Sequence, residues 1–224
     1  FLKMDGVNLL GIADKTQPGM ENNYNFKNSL DPSEHDLQIN RNYGVSGGKR
    51  FYVGPQKDAL SFFLVAAHNT ENQYAEEVLR NTTTNGTIYK DQTGKVYEQK
   101  ISQLALANLD YDYRNRHHLS YNFMMVHDNV QSVGDYDGMD SGKFNDDYDN
   151  MGFTRRQQAN DNWLLVNQLM TNWGLTKTLS FDAGASYNVV KGSEPDRRIN
   201  NLRKAAEGYT LLEGNSQQRY FSEL

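Results

Sequence analysis

Apolar and polar residues alternate one for one over several stretches of this chain, and period two is the side-chain signature of a strand. Over residues 104–113, Ala105, Ala107, Leu109, Tyr111 and Tyr113 fall on one face, and Asn108, Asp110 and Asp112 on the other, with Leu104 and Leu106 further up. Residues 114–118 (Arg-Asn-Arg-His-His) read as a short turn. After it Leu119, Tyr121, Phe123 and Met125 oppose Ser120, Asn122, Met124 and Val126. The cleanest alternation spans 179–190. There Leu179, Phe181, Ala183, Ala185, Tyr187 and Val189 face away from Ser180, Asp182, Gly184, Ser186 and Asn188. Across a turn at 172–177 it is predicted to pair with a strand over 162–171, whose Trp163-Leu164-Leu165-Val166 is apolar on both faces and leaves its orientation open. A third hairpin joins 39–53 to 59–69 through Gly54-Pro55-Gln56-Lys57-Asp58, where Gly and Pro punctuate the strands.

Between these hairpins lie polar segments at about 70–97, 128–152 and 191–218, rich in Asn, Asp, Gly, Ser and Thr. Structureless connections beyond about 12–15 residues are uncommon in compact domains. Long loops alternating with tight turns are instead the plan of outer-membrane barrels. The predicted fold is therefore all-β, an antiparallel up-and-down meander of about 6–8 long strands belonging to a larger transmembrane barrel.

Composition narrows the choice. Only 37 % of the 224 residues are hydrophobic and mean hydropathy is −0.80, where about 45–50 % apolar is usual. Disorder is disfavoured by 14 Tyr, 10 Phe and 2 Trp. The longest apolar run, Leu60 to Ala67 with Ser61 inside it, is far short of the roughly 20 residues that a membrane helix needs. Any membrane contact is then made by strands, which must close on themselves to satisfy their backbone. Phe51, Tyr52, Tyr111, Tyr113, Tyr121 and Trp173 gather beside the short turns, as interfacial aromatics do, although Tyr is also simply a good strand residue. A net charge of −5 with scattered Lys and Arg offers nothing to a nucleic acid. The absence of cysteine removes disulfides and thiolate metal sites. Both ends, Phe1-Leu2-Lys3-Met4 without a leader and Phe221-Ser222-Glu223-Leu224 where a strand pattern restarts, read as truncations.

Gly48-Lys49-Arg50-Phe51-Tyr52-Val53-Gly54 with Ala59-Leu60-Ser61-Phe62-Phe63-Leu64 resembles an early barrel hairpin, and residues 105–112 with His118-Leu119-Ser120-Tyr121-Asn122-Phe123 the next. Asn167-Gln168-Leu169, Ala183-Gly184-Ala185-Ser186-Tyr187 and Ser193-Glu194-Pro195-Asp196-Arg197-Arg198 resemble a later hairpin opening into an extracellular loop. Taken in order, these segments resemble the barrel of TonB-dependent outer-membrane receptors, over about Ser29 to Arg198. It implies a barrel of about 22 strands with an N-terminal plug, in the outer membrane of a Gram-negative bacterium. The family imports scarce nutrients (metal–siderophore complexes, cobalamin or oligosaccharides) with energy from the TonB complex. Residues 1–224 would be a partial receptor barrel domain, in contact with outer-membrane lipid. The plug, the remaining strands and the TonB-contacting segment would lie outside it, and the nutrient would bind at extracellular loops.

Candidate chemistry is sparse. The acidic stretch 135–149 invites calcium, but counting from Asp135 puts Met139 fifth and Asp140, not Gly, sixth, so an EF-hand is excluded and a solvated external loop expected, with calcium held between loops as the alternative that the family resemblance leaves open. His117 and His118 are adjacent and point to opposite faces of a strand, while His68 and His127 fall at loop ends, none at ligand spacing. Glu194, Asp196, Arg197 and Arg198 form a charge cluster with structural use expected, and Asn81-Thr82-Thr83 and Asn85-Gly86-Thr87 match glycosylation acceptors that a bacterial outer membrane makes irrelevant. No nucleophile elbow, phosphate loop or catalytic carboxylate pair appears, so no enzyme activity, catalytic residue, metal or cofactor is expected. Two other readings stay open: a passive porin-like barrel, and a soluble carbohydrate-binding β-domain that would bury its apolar faces in a second sheet.

Overall fold

The structure, a computed structural model, describes residues 1–12, 31–36, 38–145, 148–212, 214 and 216–223, without the side chains of 221–223. In chain order the strands are β1 (Leu2–Lys3), β2 (Ser33–Glu34), β3 (Arg41–Val53), β4 (Asp58–Thr82), β5 (Ile88–Tyr113), β6 (His117–Asp140), β7 (Met151–Gly174), β8 (Ser180–Ala205), β9 (Gly208–Leu211) and β10 (Gln217–Glu223). No helix occurs among the described residues. β1 and β2 form a small separate pair, and the rest make one eight-stranded antiparallel sheet in the order β10-β8-β7-β6-β5-β4-β3, with β9 beside β8. The meander predicted from the alternation is thus present. It is an open sheet: β3 ends one side, and on the other β10 pairs only with β8 residues 193–200, leaving 180–192 as an edge.

The tight turns stand close to their predicted places. β3 and β4 are joined through residues 54–57, where Gly54 has φ +74°. β5 and β6 are joined through Arg114-Asn115-Arg116 with φ 53° and 49° at the first two, the left-handed values that match strand twist in a hairpin. The third turn is shifted: β7 runs on to Gly174 and β8 starts at Ser180, so the connection is 175–179 rather than 172–177.

The three long loops are corrected. Residues 70–82 and 88–97 are paired strand, so the connection is only 83–87; 128–140 likewise continue β6 and leave 141–150. Residues 191–205 continue β8 and return as β9 and β10. The strands β4 to β8 consequently run 24 to 26 residues. Apolar alternation disappears in these extensions because both faces are mostly polar, with only isolated apolar residues such as Val133 and Tyr97, but ladder pairing needs only backbone. Complementary charges stand opposite one another instead: Glu71 and Lys100, Glu76 and Lys95, Arg80 and Asp91, Asp135 and Arg155. Arg80 donates to Asp91 at 2.8 Å, and Arg155 makes two bonds of 2.7 Å to Asp135.

Because opposed residues share a face, the register assigns one face across the whole sheet. Leu60, Phe62, Leu64 and Ala66 of β4 stand opposite Tyr111, Leu109, Ala107 and Ala105 of β5, and these opposite Leu119, Tyr121, Phe123 and Met125 of β6. The row continues through Thr171, Leu169, Asn167 and Leu165 of β7 to Ala183, Ala185, Tyr187 and Val189 of β8. The register also settles the ambiguous run in β7: Trp163 and Leu165 join this front face, Leu164 and Val166 the back. Of the aromatics beside the turns, Phe51, Tyr111, Tyr113, Tyr121 and Trp173 share the front face, whereas Tyr52, opposite Ala59, is on the back.

Burial is concentrated in the half distant from the tight turns. There the N-terminal segment lies on the front face, with Met4, Val133 and Ala159 forming a small apolar cluster joined by Leu2 and Tyr97. The Phe1 ring meets Tyr97 edge-on at 5.4 Å, and Arg198 donates to the Asp5 carbonyl at 2.9 Å. Around the cluster the buried side chains are mostly polar: Asn129, Gln131, Gln157 and Arg198 are each 2 % exposed or less.

Candidate functional site

The half of the sheet nearer the tight turns carries an apolar surface that no other described residue covers. Leu64, Leu109, Leu169, Phe181 and Tyr187 of the front face are 47–71 % exposed. Soluble monomers rarely expose contiguous apolar patches beyond a few hundred Å², and this one crosses every strand from β3 to β8. Its limits are aromatic. At the turn end Tyr113, His117, Trp173 and Phe181 stand in one row, with the His117 ring 4.4 Å from that of Trp173. At the far end Tyr43, His68, Gln103, His127, Trp163 and Lys191 form another. Ten positions of β7 separate Trp163 from Trp173, about 33 Å along a strand or about 25 Å in height at the usual barrel tilt.

Between these rows the front face holds few polar groups. Asn167 accepts from the Tyr121 hydroxyl at 2.8 Å and donates to the Tyr187 carbonyl at 3.3 Å, so its amide is satisfied within the sheet. The Lys49 ammonium lies 5.2 Å from the centre of the Phe51 ring. On the back face the same stretch is polar beside the turns. Asn108 donates to Asn122 at 2.9 Å, Asn172 to Asp182 at 2.6 Å, and Arg50 to Asp112 at 2.8 Å. Further up, Leu104, Leu106, Met124, Val126, Leu164 and Val166 make the back face apolar as well.

The far aromatic row starts a transverse hydrogen-bonded chain that sequence reading missed. His68 Nε2 is 3.0 Å from Thr70 Oγ1, and its Nδ1 is 3.4 Å from Gln103 Nε2. Gln103 Oε1 lies 3.0 Å from His127 Nδ1, whose Nε2 meets Asp161 Oδ1, while Asp161 Oδ2 accepts from Trp163 Nε1 at 3.1 Å. His127 is fully buried and stacks on Trp163 with ring centres 3.8 Å apart. His68 and His127 therefore sit mid-strand with Gln103 between them, not at loop ends as expected. The only available signal was one-residue register between strands, which requires knowing the pairing. His117 and His118 do point to opposite faces, the latter with Nδ1 2.7 Å from Asp112.

The acidic stretch 135–149 is split by strand alternation and turn. Asp135 faces front and is held by Arg155; Asp137 accepts from the Tyr209 hydroxyl at 2.8 Å; Asp140, on the back, is 3.4 Å from the Lys90 ammonium. Asp146 and Asp147 lie outside the described residues. Among the described residues no three acidic or His side chains converge as ligands. Asp135 and Asp137 instead line, with Glu76, Glu77, Lys95 and Phe153, a cavity of about 640 Å³ near the far end of the sheet. Residues 141–145 fold over the back face, where Phe144 is fully buried against Gly152.

The charge cluster around residue 196 belongs to β8 rather than to a loop. Arg197 is bidentate on Glu194 at 2.6 and 2.9 Å. Arg198 donates to Asp196 at 2.8 Å, and Arg219, which the sequence did not connect with it, donates to the same carboxylate at 2.9 and 2.7 Å. With Arg198 also on the Asp5 carbonyl, the cluster ties the N-terminal segment and β10 to β8. The acceptor triplets lie at the tip of β4 and in the 83–87 connection, exposed. No helix of the described residues is long and apolar enough to cross a membrane, which does not bear on strands.

Comparison with known proteins identifies no relative: no family model, no curated protein and no solved structure matches the chain.

Proposed function

We propose that this chain is part of the transmembrane wall of an outer-membrane β-barrel of the energised nutrient-receptor type. The observation that carries this reading is the exposed apolar front face, continuous over β3 to β8 and bounded by aromatic rows about 25 Å apart, the height of the lipid-facing band of such barrels. About 9–11 residues of each strand suffice to cross a bilayer. The rest of each 24- to 26-residue strand then stands beyond the membrane, where both faces are polar and joined by cross-strand charges. The polar back face beside the turns faces the lumen. The edges of β3 and of β8 over 180–192 take further strands, because an exposed edge invites uncontrolled pairing and barrel closure abolishes it. The assignment to an energised importer, rather than a passive barrel, rests on the ordered resemblance over residues 29–198. Its ligand would meet the far ends of the strands.

Because the chain has no native cysteine, single cysteines can be introduced at Leu109 on the front face and at Val78 beyond the band. An environment-sensitive dye on Leu109→Cys should emit as in hydrocarbon when the protein is in phospholipid vesicles, and be quenched by brominated acyl chains, while the dye on Val78→Cys stays in water. Water-like emission at both positions would rule the membrane wall out. Nutrient uptake by cells that carry the whole protein should stop on adding a protonophore; uptake that persists would leave a passive barrel.

A further inference from the structure

We infer that a cationic pocket at the upper limit of the apolar band is a binding site for a phosphate group. The pocket, of about 210 Å³, lies between the N-terminal segment and the front face and is lined by Lys3, His35, Arg41, His68, Thr70 and Gln99, among others. Lys3 and Arg41 are close enough to repel each other. Among the described residues neither has a carboxylate partner and no carboxylate lines the pocket. Burial, and then repulsion from Arg41, pull the Lys3 ammonium below the ordinary lysine range. Two cations held together without a counter-charge cost free energy that an anion would recover. Arg80 and Arg155, by contrast, each stand opposite an aspartate on the neighbouring strand.

Gln99 supplies an independent indication. It is 6 % exposed and lines the same pocket; its Nε2 donates to Asn72 Oδ1 at 2.7 Å, whereas its Oε1 is buried with no partner. A buried carbonyl left unpaired calls for a donor. A phosphomonoester has both features in one group, anionic oxygens for Lys3 and Arg41 and, as the monoanion, a P–OH for Gln99. The volume holds a phosphate with several waters at about 30 Å³ each, and is below the roughly 300–1,000 Å³ of sites for whole small molecules.

Position suggests two sources for that phosphate. Arg41 and Thr70 stand opposite each other one rung beyond Tyr43 and His68, the far aromatic row. On the membrane reading above, on which only this choice of source depends, that level is the headgroup region, so a lipid phosphomonoester reaches the pocket from the side. A soluble phosphate would reach it from water.

The test titrates the full chain, first in detergent with inorganic phosphate, then in vesicles of phosphatidylcholine with and without phosphatidic acid. Arg41→Gln is the principal variant, since Arg41 is exposed and its loss leaves the core untouched; Lys3→Gln is the second, and Lys57→Gln in the distant 54–57 turn is the control. Both pocket variants should weaken phosphate-dependent binding by at least about tenfold, one charge-assisted contact, with the control unchanged. Saturable binding of inorganic phosphate identifies a soluble source, and binding only to phosphatidic acid vesicles a headgroup; either supports the site. Equal binding by wild type and both variants, or equal weakening by Lys57→Gln, overturns it. Phosphate binding in detergent does not depend on the apolar band, so loss of the membrane reading and loss of this site are separate results.

Discussion

Replacing Leu109 with arginine tests the apolar face most directly, because lipid and water predict different magnitudes. Leu109 is 47 % exposed, opposite Phe62 on one side and Tyr121 on the other. It lies four positions from Tyr113, about 13 Å along the strand and about 10 Å in height at barrel tilt. In a band of about 25 Å that is within about 3 Å of the midplane, where an arginine on the lipid face costs about 2–4 kcal/mol. On a surface that meets water, the same substitution costs within about 0.5 kcal/mol. Leu119→Arg, at 40 % exposure and one rung from the turn-side aromatic row, should cost about 0–1 kcal/mol on the lipid reading. Val78→Arg, 63 % exposed and beyond the band, should cost nothing measurable. All three replace an exposed aliphatic strand residue, so intrinsic strand preference largely cancels. The assay is denaturant unfolding in phospholipid vesicles followed by the emission of Trp163 and Trp173. A graded series of Leu109, Leu119 and Val78 supports burial in hydrocarbon. Three equal costs within about 0.5 kcal/mol would refute it.

Three further outcomes follow from the half of the sheet beyond the band. Phe144→Ala removes the fully buried ring that seats residues 141–145 on Gly152; a loss of about 3–5 kcal/mol is expected, read as faster proteolysis between β6 and β7 while both strands stay protected. Arg198→Met strips Asp196 and the Asp5 carbonyl of a buried donor and should cost about 3–5 kcal/mol by melting, whereas Arg203→Met, outside that network, should melt as wild type. Tyr136 spans Gly94 and Gly134, and burial followed by its hydrogen bond to Glu77 raises the phenol from 10.0 to about 12. The folded chain then keeps a proton that the unfolded chain releases above pH 10, so this contribution is complete below pH 10 and is lost as pH rises toward 12. Denaturation midpoints should fall across that window, and fall less in Tyr136→Phe; identical pH profiles would exclude the effect.

Much of the wall was legible in the residues themselves. Alternation at Leu179–Val189 and at Ala105–Tyr113 is a local property, written wherever one face of a strand is apolar and the other polar, and Gly54-Pro55 or the 114–116 turn need no distant partner. The all-β class, the first two tight turns and the apolar face of each alternating strand therefore come from local chemistry alone, while the joining of those faces into one front face is the work of register. The far halves were misread as loops because both of their faces are mostly polar, and isolated apolar residues such as Val133 and Tyr97 do not make an alternation. What makes 70–82, 88–97, 128–140 and 191–205 strands is the backbone ladder continued outward from the apolar half, with charges such as Asp135 and Arg155 placed opposite by register. Register also decided what no single segment contains: the chain of hydrogen bonds from Thr70 to Trp163, the clamp of Arg198 and Arg219 on Asp196, and the meeting of Lys3 with Arg41. Those of these contacts that join different strands link residues 23 to 38 positions apart, from Arg219 with Asp196 to Lys3 with Arg41. The sequence by itself determines which residues alternate; only the tertiary structure determines which of them meet, because pairing distance in a sheet is set by strand length and turn position rather than by neighbouring side chains.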